Sequence, residues 1–455
     1  MWRHGKPCRS RPFRCQRRAP TRRGKRPKKQ KDGRRRRGGG NLNYQVEEIS
    51  DIDAFISLEK EWNALLVAAP VNAPFLRHEW FRVWWKAFGG GKRLAILTVR
   101  SGDGRLAAIV PFMEERGFRV GIPCRIWTSM SNDHSSRFDF IMGEASDEAR
   151  ARIVAALAAF LSRRTPRVHL LELQDFPVDS PALSLLLDTV VRSGRKVGLR
   201  PELETPFIPI EGKWPDYYES ISGHLRRNLR RRRRQLEEQG KVEVICVTGE
   251  EISGGPARLA DHLREGFRIE AMAWKGSAGT AIRENEGWAD FYQEWARTAA
   301  ERGWLRLYFL KLNDQPIAFY YTLVYGRKLY YLKLGYDPAF ARYSPGILLH
   351  QEILASAFDQ KLIELDFLGP MMAWKQDWAK GVRPHVWVYL FQRGFVPEMI
   401  YLIKFKLFPY FKKIDWVHRL QRRLFAKGLS EHFAKPPSTA LPQQDSLEEA
   451  RKEAA

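Results

Sequence analysis

Tyr336 and Asp337 end an aromatic-rich segment, and the turn Arg342-Tyr343-Ser344-Pro345-Gly346 follows close behind. After that turn the apolar residues Leu349, Ile353 and Ala357 recur at i, i+4 and i+8, which predicts a helix opening near Pro345. Proline suits a helix start because its fixed φ is already helical and its missing N–H would have no partner there. The N–H groups of a helix's first turn lack intrahelical acceptors and point outwards, so a helix starting beside a strand end is a place to bind a pyrophosphate. Further on, Asp366 interrupts the apolar run Leu362–Leu368. An unpaired carboxylate is costly to bury, so Asp366 must be ion-paired, hydrogen-bonded or functional.

The elements that would position these groups read as an antiparallel meander followed by a helix. Leu305–Leu312, Pro316–Tyr325 and Lys328–Tyr336 are strands rich in aromatic and aliphatic residues, separated by Asn313-Asp314 and Gly326-Arg327. Leu362–Leu368 and His385–Phe391 are further strands. A similar order occurs upstream. Asp51–Val67 and His78–Phe88 read as helices. Leu94–Val99 and Leu106–Glu114 read as a hairpin, and Arg125–Ser129 and Phe138–Met142 as short strands. Ser146–Ser162 is a helix with acidic residues in its first turn, and Val168–Leu173 a strand. We read two copies of one α/β unit, the first degenerate, joined by the proline-rich stretch Pro201–Pro215.

The order of Trp274-Lys275-Gly276, Gly335-Tyr336-Asp337-Pro338, Tyr343-Ser344-Pro345-Gly346 and Asp366-Phe367-Leu368-Gly369 with Trp374-Lys375 resembles the GNAT acyltransferases. It is most similar to the CelD-type branch of bacterial polysaccharide operons, related to the Fem-type aminoacyl transferases. A weaker match includes Pro74-Phe75, Glu79-Trp80 and Trp84-Trp85, and together the resemblance spans roughly residues 45–395. It implies an α/β (α+β) fold of two tandem GNAT-like units with mixed, mostly antiparallel sheets flanked by helices. It also implies direct attack of an amine or hydroxyl on an acyl-coenzyme A thioester. In that chemistry Arg342, Tyr343, Ser344 and Gly346 cradle the pyrophosphate, and Tyr336, Asp337 and Asp366 are the catalytic candidates. Tyr336 would be the acid and Asp337 the base. Tyr336 reads equally as an aromatic of the sheet, and Asp337 as a turn-forming Asx residue. Glu270 and Lys275 would line the acceptor cleft, and Lys375 would meet a substrate or cofactor phosphate. The family pattern places glycines three and five residues after the arginine. Here Pro345 and Ile347 stand at those positions, with the glycine displaced to Gly346.

The 455 residues carry a formal charge of +25, but residues 1–40 hold 18 Lys+Arg and one acidic residue, or +17 of it. With almost nothing apolar to bury, residues 1–42 are expected to be a disordered basic tail. It is no signal peptide, since no apolar core follows the charges. The expected organisation continues as 43–204 for the degenerate unit and 205–395 for the acyltransferase unit. A basic amphipathic helical extension covers 396–434 and a disordered tail 435–455. Asp216–Gln239 reads as a helix, with seven arginines between Arg226 and Arg234. That run suits a solvated face, a nucleic-acid contact, or an electrostatic funnel for an anionic cofactor, the solvated face being favoured.

Val396–Phe425 alternates large apolar residues with Lys404, Lys406, Lys412, Lys413, Arg419, Arg422 and Arg423. This suits either packed helices or peripheral contact with an anionic membrane. No apolar run is long enough to span a bilayer. Four scattered cysteines fit a reducing, cytoplasmic setting and no metal site. The leading expectation is transfer of an acyl group to a sugar or cell-envelope precursor. An aminoacyl-tRNA-dependent transferase and a non-catalytic scaffold of a polysaccharide synthesis complex are the alternatives.

Overall fold

The computed structural model describes residues 44–135, 137–164, 167–249, 256–272, 282 and 287–408. The basic N-terminal tail, Lys275, Pro409 and the C-terminal tail lie outside the described residues.

The first unit opens with β1 (Gln45–Ile49), α1 (Ile52–Ser57), α2 (Glu59–Ala68) and α3 (His78–Phe88). Asp51 caps α1, its Oδ2 accepting from the Ala54 N–H at 2.8 Å. Then come β2 (Arg93–Leu94), β3 (Ile96–Arg100), β4 (Leu106–Val110), β5 (Phe112–Arg119), β6 (Ile122–Ser129) and β7 (Ile141–Met142). The strand expected over Leu106–Glu114 is thus broken at Pro111, which has no N–H to give a ladder. Its first part pairs in a small sheet ordered β1-β3-β4-β7, and β5 joins the large sheet. Next are α4 (Asp147–Arg163), β8 (Leu170–Pro177), α5 (Pro181–Arg192) and β9 (Val197–Pro209). Ser146 caps α4 by accepting from the Ala149 N–H at 3.2 Å.

The second unit comprises α6 (Trp214–Ser220), α7 (Gly223–Glu237), β10 (Val242–Thr248), α8 (Pro256–Met272) and α9 (Trp288–Glu301). The helix expected over Asp216–Gln239 is two helices, because Ser222 caps a new start with its Oγ on the Leu225 N–H at 3.1 Å. The meander follows as β11 (Leu305–Leu312), β12 (Gln315–Tyr325) and β13 (Lys328–Tyr336), then α10 (Pro345–Asp359), β14 (Glu364–Asp366), α11 (Ala373–Gln376), β15 (Gly381–Phe391) and α12 (Phe395–Tyr401).

One sheet runs through both units in the order β10-β11-β12-β13-β14-β9-β15-β8-β6-β5-β2. Two parallel pairs mark the repeat. β13–α10–β14 and β6–α4–β8 are each a strand, a crossover helix and a parallel strand. Their ladders have matching registers, with Tyr330 opposite Asp366 in one and Thr128 opposite Glu172 in the other. The units also exchange strands: β9 pairs with β14, and β15 pairs with β8. The stretch expected as a proline-rich joint is therefore largely a central strand, and residues 204 and 205 lie inside it. Pro201 is tolerated because the β9–β15 ladder shifts register there, between Pro384 and Val386.

Two large cores lie on opposite faces of this sheet. One joins the units through aromatic rings, Trp80 of α3 meeting Trp295 of α9 edge-to-face at 4.9 Å. The other packs Leu349, Ile353, Ala357 and Phe358 of α10 against β11–β13, with Leu229 and Leu236 of α7 beside them. α12 and Phe405 cover a face formed by Ile126 and Leu170 of the first unit with Tyr389 and Phe391 of β15.

Candidate functional site

β13 and β14 pair only at Lys328–Tyr330 and Glu364–Asp366. Among the described residues β13 then continues to Tyr336 with no strand on that edge, so the two strands part in a V. A bulge assists the divergence: Tyr321 opposes Lys333 while Thr322 opposes Tyr331, leaving Leu332 as the extra residue of β13. β14 stops because Asp366 Oδ1 accepts from the Leu368 N–H at 3.0 Å, and Leu368 and Gly369 turn the chain away with φ of 48° and 60°. Lys375 Nζ fastens that loop, donating to the carbonyls of Leu368 at 2.7 Å and Pro370 at 3.0 Å.

The corresponding place in the first unit is stitched shut. Ser129 Oγ accepts from the Gln174 N–H at 3.1 Å, and Gln174 Nε2 donates to the Ser131 carbonyl at 2.7 Å. Polar side chains there occupy the gap that the second unit leaves between its strands.

At the mouth of the V, Asp337 Oδ1 accepts from the Ala339 N–H at 3.0 Å and caps the short 3-10 turn Pro338–Tyr343. Ser344 then adopts a left-handed conformation, φ 50° and ψ 54°, which aims the chain into α10. The N–H groups of Ile347 and Leu348 already bond to the Ser344 carbonyl at 3.0 and 3.1 Å. Pro345 has no N–H, so Gly346 supplies the outward-facing donor of this first turn. Tyr320 Oη donates to the Gly346 carbonyl at 3.2 Å and holds it in place. A Cβ on Gly346 would meet only Tyr336, at 3.7 Å, an ordinary contact.

Two guanidinium groups contact the turn. Arg342 is exposed and lies over the Tyr343 ring, 4.6 Å from its centroid. Arg232 of α7, half-buried, donates to Ser344 Oγ. Burial and the neighbouring Arg231 pull the Arg232 guanidinium below its ordinary pKa, and that neighbour marks an already positive surround. The adjacent Arg233 ties α7 to α10 through Glu352 at 3.0 Å. The arginine-rich helix is therefore no plain solvated face: one side of it abuts the turn.

The opposite face of β13 carries a second group of polar residues. Lys333 Nζ sits 5.0 Å from the Tyr292 ring centroid and 5.9 Å from that of Trp288. Tyr292 Oη and His134 Nδ1 lie 3.0 Å apart, so the first unit reaches this face. Burial, with Lys333 nearby, lowers the His134 pKa to about 3, so its ring is neutral at neutral pH. Glu270 is fully buried, with Oε2 accepting from the Ile282 N–H at 3.2 Å. It is brought close because Gly335 lets α8 pack on β13; a Cβ there would lie 2.5 Å from Glu270 Cα.

Tyr336, Asp337, Arg342, Tyr343, Ser344 and Gly346 are thus gathered at one turn, and Glu270 lies across β13 from it. Asp366 and Lys375 stand differently from expectation. Asp366 is fully buried between Arg137 at 2.7 Å and Arg383 at 3.0 Å. Burial opposes its charge, but the two guanidiniums outweigh that and hold its pKa below the usual carboxylate value. It is a paired carboxylate between the units, not a group facing the V. Lys375 is buried and committed to loop carbonyls, as its extended stem reaches inward from α11. Arg232, Lys333, Tyr292 and His134 were not singled out by sequence. The arginine run was a signal for the first; the others have none without the packing.

Residues 223–376 match a family described as "Acetyltransferase (GNAT) domain", a range that begins at α7 and encloses the V, the turn and Lys375. Among solved structures the chain is similar to FemX, at 12% identity over 79% of this chain and 99% of that one, with a TM-score of 0.53. A weaker likeness, TM-score 0.44 at 11% identity over 75% and 92% of the two chains, is to the C-terminal domain of a putative lysylphosphatidylglycerol synthetase from Agrobacterium fabrum. Another is to a tandem GNAT protein from the clavulanic acid biosynthesis pathway, at 0.40, 11%, 76% and 98%. No curated protein matches the chain in sequence.

Proposed function

We propose, on the premise that this chain is a GNAT-type transferase, that it moves an acyl group from acyl-coenzyme A to an amino or hydroxyl group of a sugar or cell-envelope precursor. The observation that carries this reading is the V between β13 and β14, opening onto the start of α10, with Arg232 bonded to Ser344 and Arg342 over Tyr343 in the same turn.

The residues fit an anionic donor. The Gly346 N–H faces out at a helix start, its missing Cβ leaves room for close approach, and two guanidiniums offset the charge. Bound there, acyl-coenzyme A supplies the acyl group as a thioester. The pyrophosphate would rest on Gly346, Ser344 and the two arginines. The open edge of β13 would lie along the acyl arm, where backbone N–H groups can polarise a carbonyl. Tyr336, half-buried beside Gly346, is the group we assign to protonate the departing thiolate. Asp337 sets the turn by capping it. We place the acceptor on the opposite face of β13, beside half-buried Lys333, with buried Tyr292 and Glu270 backing that wall.

Among the described residues no helix is long and apolar enough to cross a membrane. Peripheral contact, at the inner face of a cytoplasmic membrane, is supported by exposed Phe395, Leu407 and Phe408 beside Lys406.

The test is thermal stabilisation of the full chain by acetyl-coenzyme A and by tRNA, measured separately. Stabilisation by acetyl-coenzyme A that Arg232→Gln abolishes supports the reading. Stabilisation by tRNA alone would move the donor to an aminoacyl-tRNA and overturn it.

A further inference from the structure

A cavity of about 410 Å³ lies in the first unit, where the end of α4 and the start of β8 approach β1, β2, β5 and β6. It is separate from the V in the second unit. Its charged lining consists of Arg93, Arg125, Arg164 and Arg167 against Glu48 and Glu114.

The carboxylates are already taken up. Arg93 bridges them, with Nη1 on Glu48 at 2.7 Å and Nη2 on Glu114 at 2.6 Å. Arg164 also pairs with Glu48. Trp127, almost fully buried, donates its Nε1–H to Glu114 at 3.1 Å. Arg125, half-buried, and Arg167, exposed at the rim, make no ion pair within 4.0 Å among the described residues. Four guanidiniums against two carboxylates leave a net charge of +2 on the wall (4 − 2). Like charges lining one concavity repel each other, and a bound counter-charge relieves that cost. Guanidinium forks match the oxygen geometry of phosphate in two-point contacts. The volume is within the range of sites for small molecules and well above what a bare ion needs.

We infer that this cavity is a binding site for a small phosphate-bearing molecule, held by Arg125 and Arg167, with the Arg93–Glu48–Glu114 network as its preformed floor. A ligand there would join the small sheet, through β1, to the edge of the large one, through β2 and β5. It would therefore stabilise the first unit without touching the transferase site.

The experiment is calorimetric titration of the full chain with a hexose phosphate, and with inorganic phosphate for comparison. It is repeated on Arg125→Gln/Arg167→Gln and on Arg232→Gln/Arg342→Gln. The expected result is binding by the parent chain, weakened about tenfold or more in the first variant and unchanged in the second. All the substituted side chains are exposed or half-buried, so folding is checked simply by melting temperature. No binding at millimolar ligand, or binding that survives in the first variant, overturns the inference. Loss of binding only in the second variant would place the phosphate at the α10 turn and overturn it equally.

Discussion

Arg232 on α7 donates a hydrogen bond to Ser344 Oγ, the side chain of the residue that turns the chain into α10. The contact links residues 112 positions apart and sets a charged group beside the outward-facing first turn of a helix. Arg232→Gln should therefore weaken acyl-coenzyme A binding, and so should Arg342→Ala. Hydrogen bonds to charged groups contribute about 1.5–3 kcal/mol, which predicts a rise in Kd of roughly ten- to over a hundred-fold for each. Calorimetric titration of the folded variants checks this, and unchanged affinity in both would remove the cradle.

Gly346 separates ligand space from packing. A Cβ there makes only ordinary contact with Tyr336, so Gly346→Ala should keep the parent melting temperature. Its affinity for the donor should fall, and Gly346→Val should fall further, since each added carbon crowds the backbone N–H. Paired melting and binding curves test both halves of this expectation.

Tyr336→Phe should leave donor affinity within about twofold while lowering kcat by roughly a hundredfold or more, the scale of a lost general acid. Transfer rates with an acyl donor of low thiol pKa should recover much of the loss, because a better leaving group needs less protonation. A kcat unaffected by the substitution would return Tyr336 to a packing role.

Asp366 should matter for stability. Asp366→Asn leaves Arg137 buried without its ion-pair partner, while Arg383 keeps Glu364 at 3.2 Å; removing one partner of a buried pair costs about 3–5 kcal/mol. The parent chain should also show an acid limb from this group. Its folded pKa lies below the unfolded value of about 3.9, so the unfolded state takes the proton first. The stabilisation is full above that unfolded value and is lost as pH falls through the folded one. Urea unfolding between pH 7 and pH 3 should show a shallower acid limb in Asp366→Asn.

Lys375→Met should act on the loop at Leu368–Pro370, whose carbonyls it holds. The expected result is a stability loss of about 1–3 kcal/mol, from two carbonyls left without their donor. Donor Kd should change by no more than about threefold. A large affinity loss at unchanged melting temperature would make Lys375 the phosphate contact that the family pattern implies.

Much of the second unit was legible because it is local. Alternating aromatic strands, Asn313-Asp314 and Gly326-Arg327 at the turns, and Pro345 at a helix start each follow from short-range preferences. The gathering of Tyr336, Asp337 and Arg342–Gly346 follows too, since they are neighbours in the chain. What no local pattern contains is pairing at long range. The proline-rich stretch before residue 210 is a central strand only because β14 and β15 flank it, and the two halves of the strand broken at Pro111 go to different sheets. Asp366 carried three readings until packing set Arg137, from 229 residues away, against it. His134 reaches Tyr292 across 158 residues for the same reason. Residue types determine what a group is able to do chemically. The tertiary fold decides which charges are buried together, and therefore which groups are spent on structure and which still face the V.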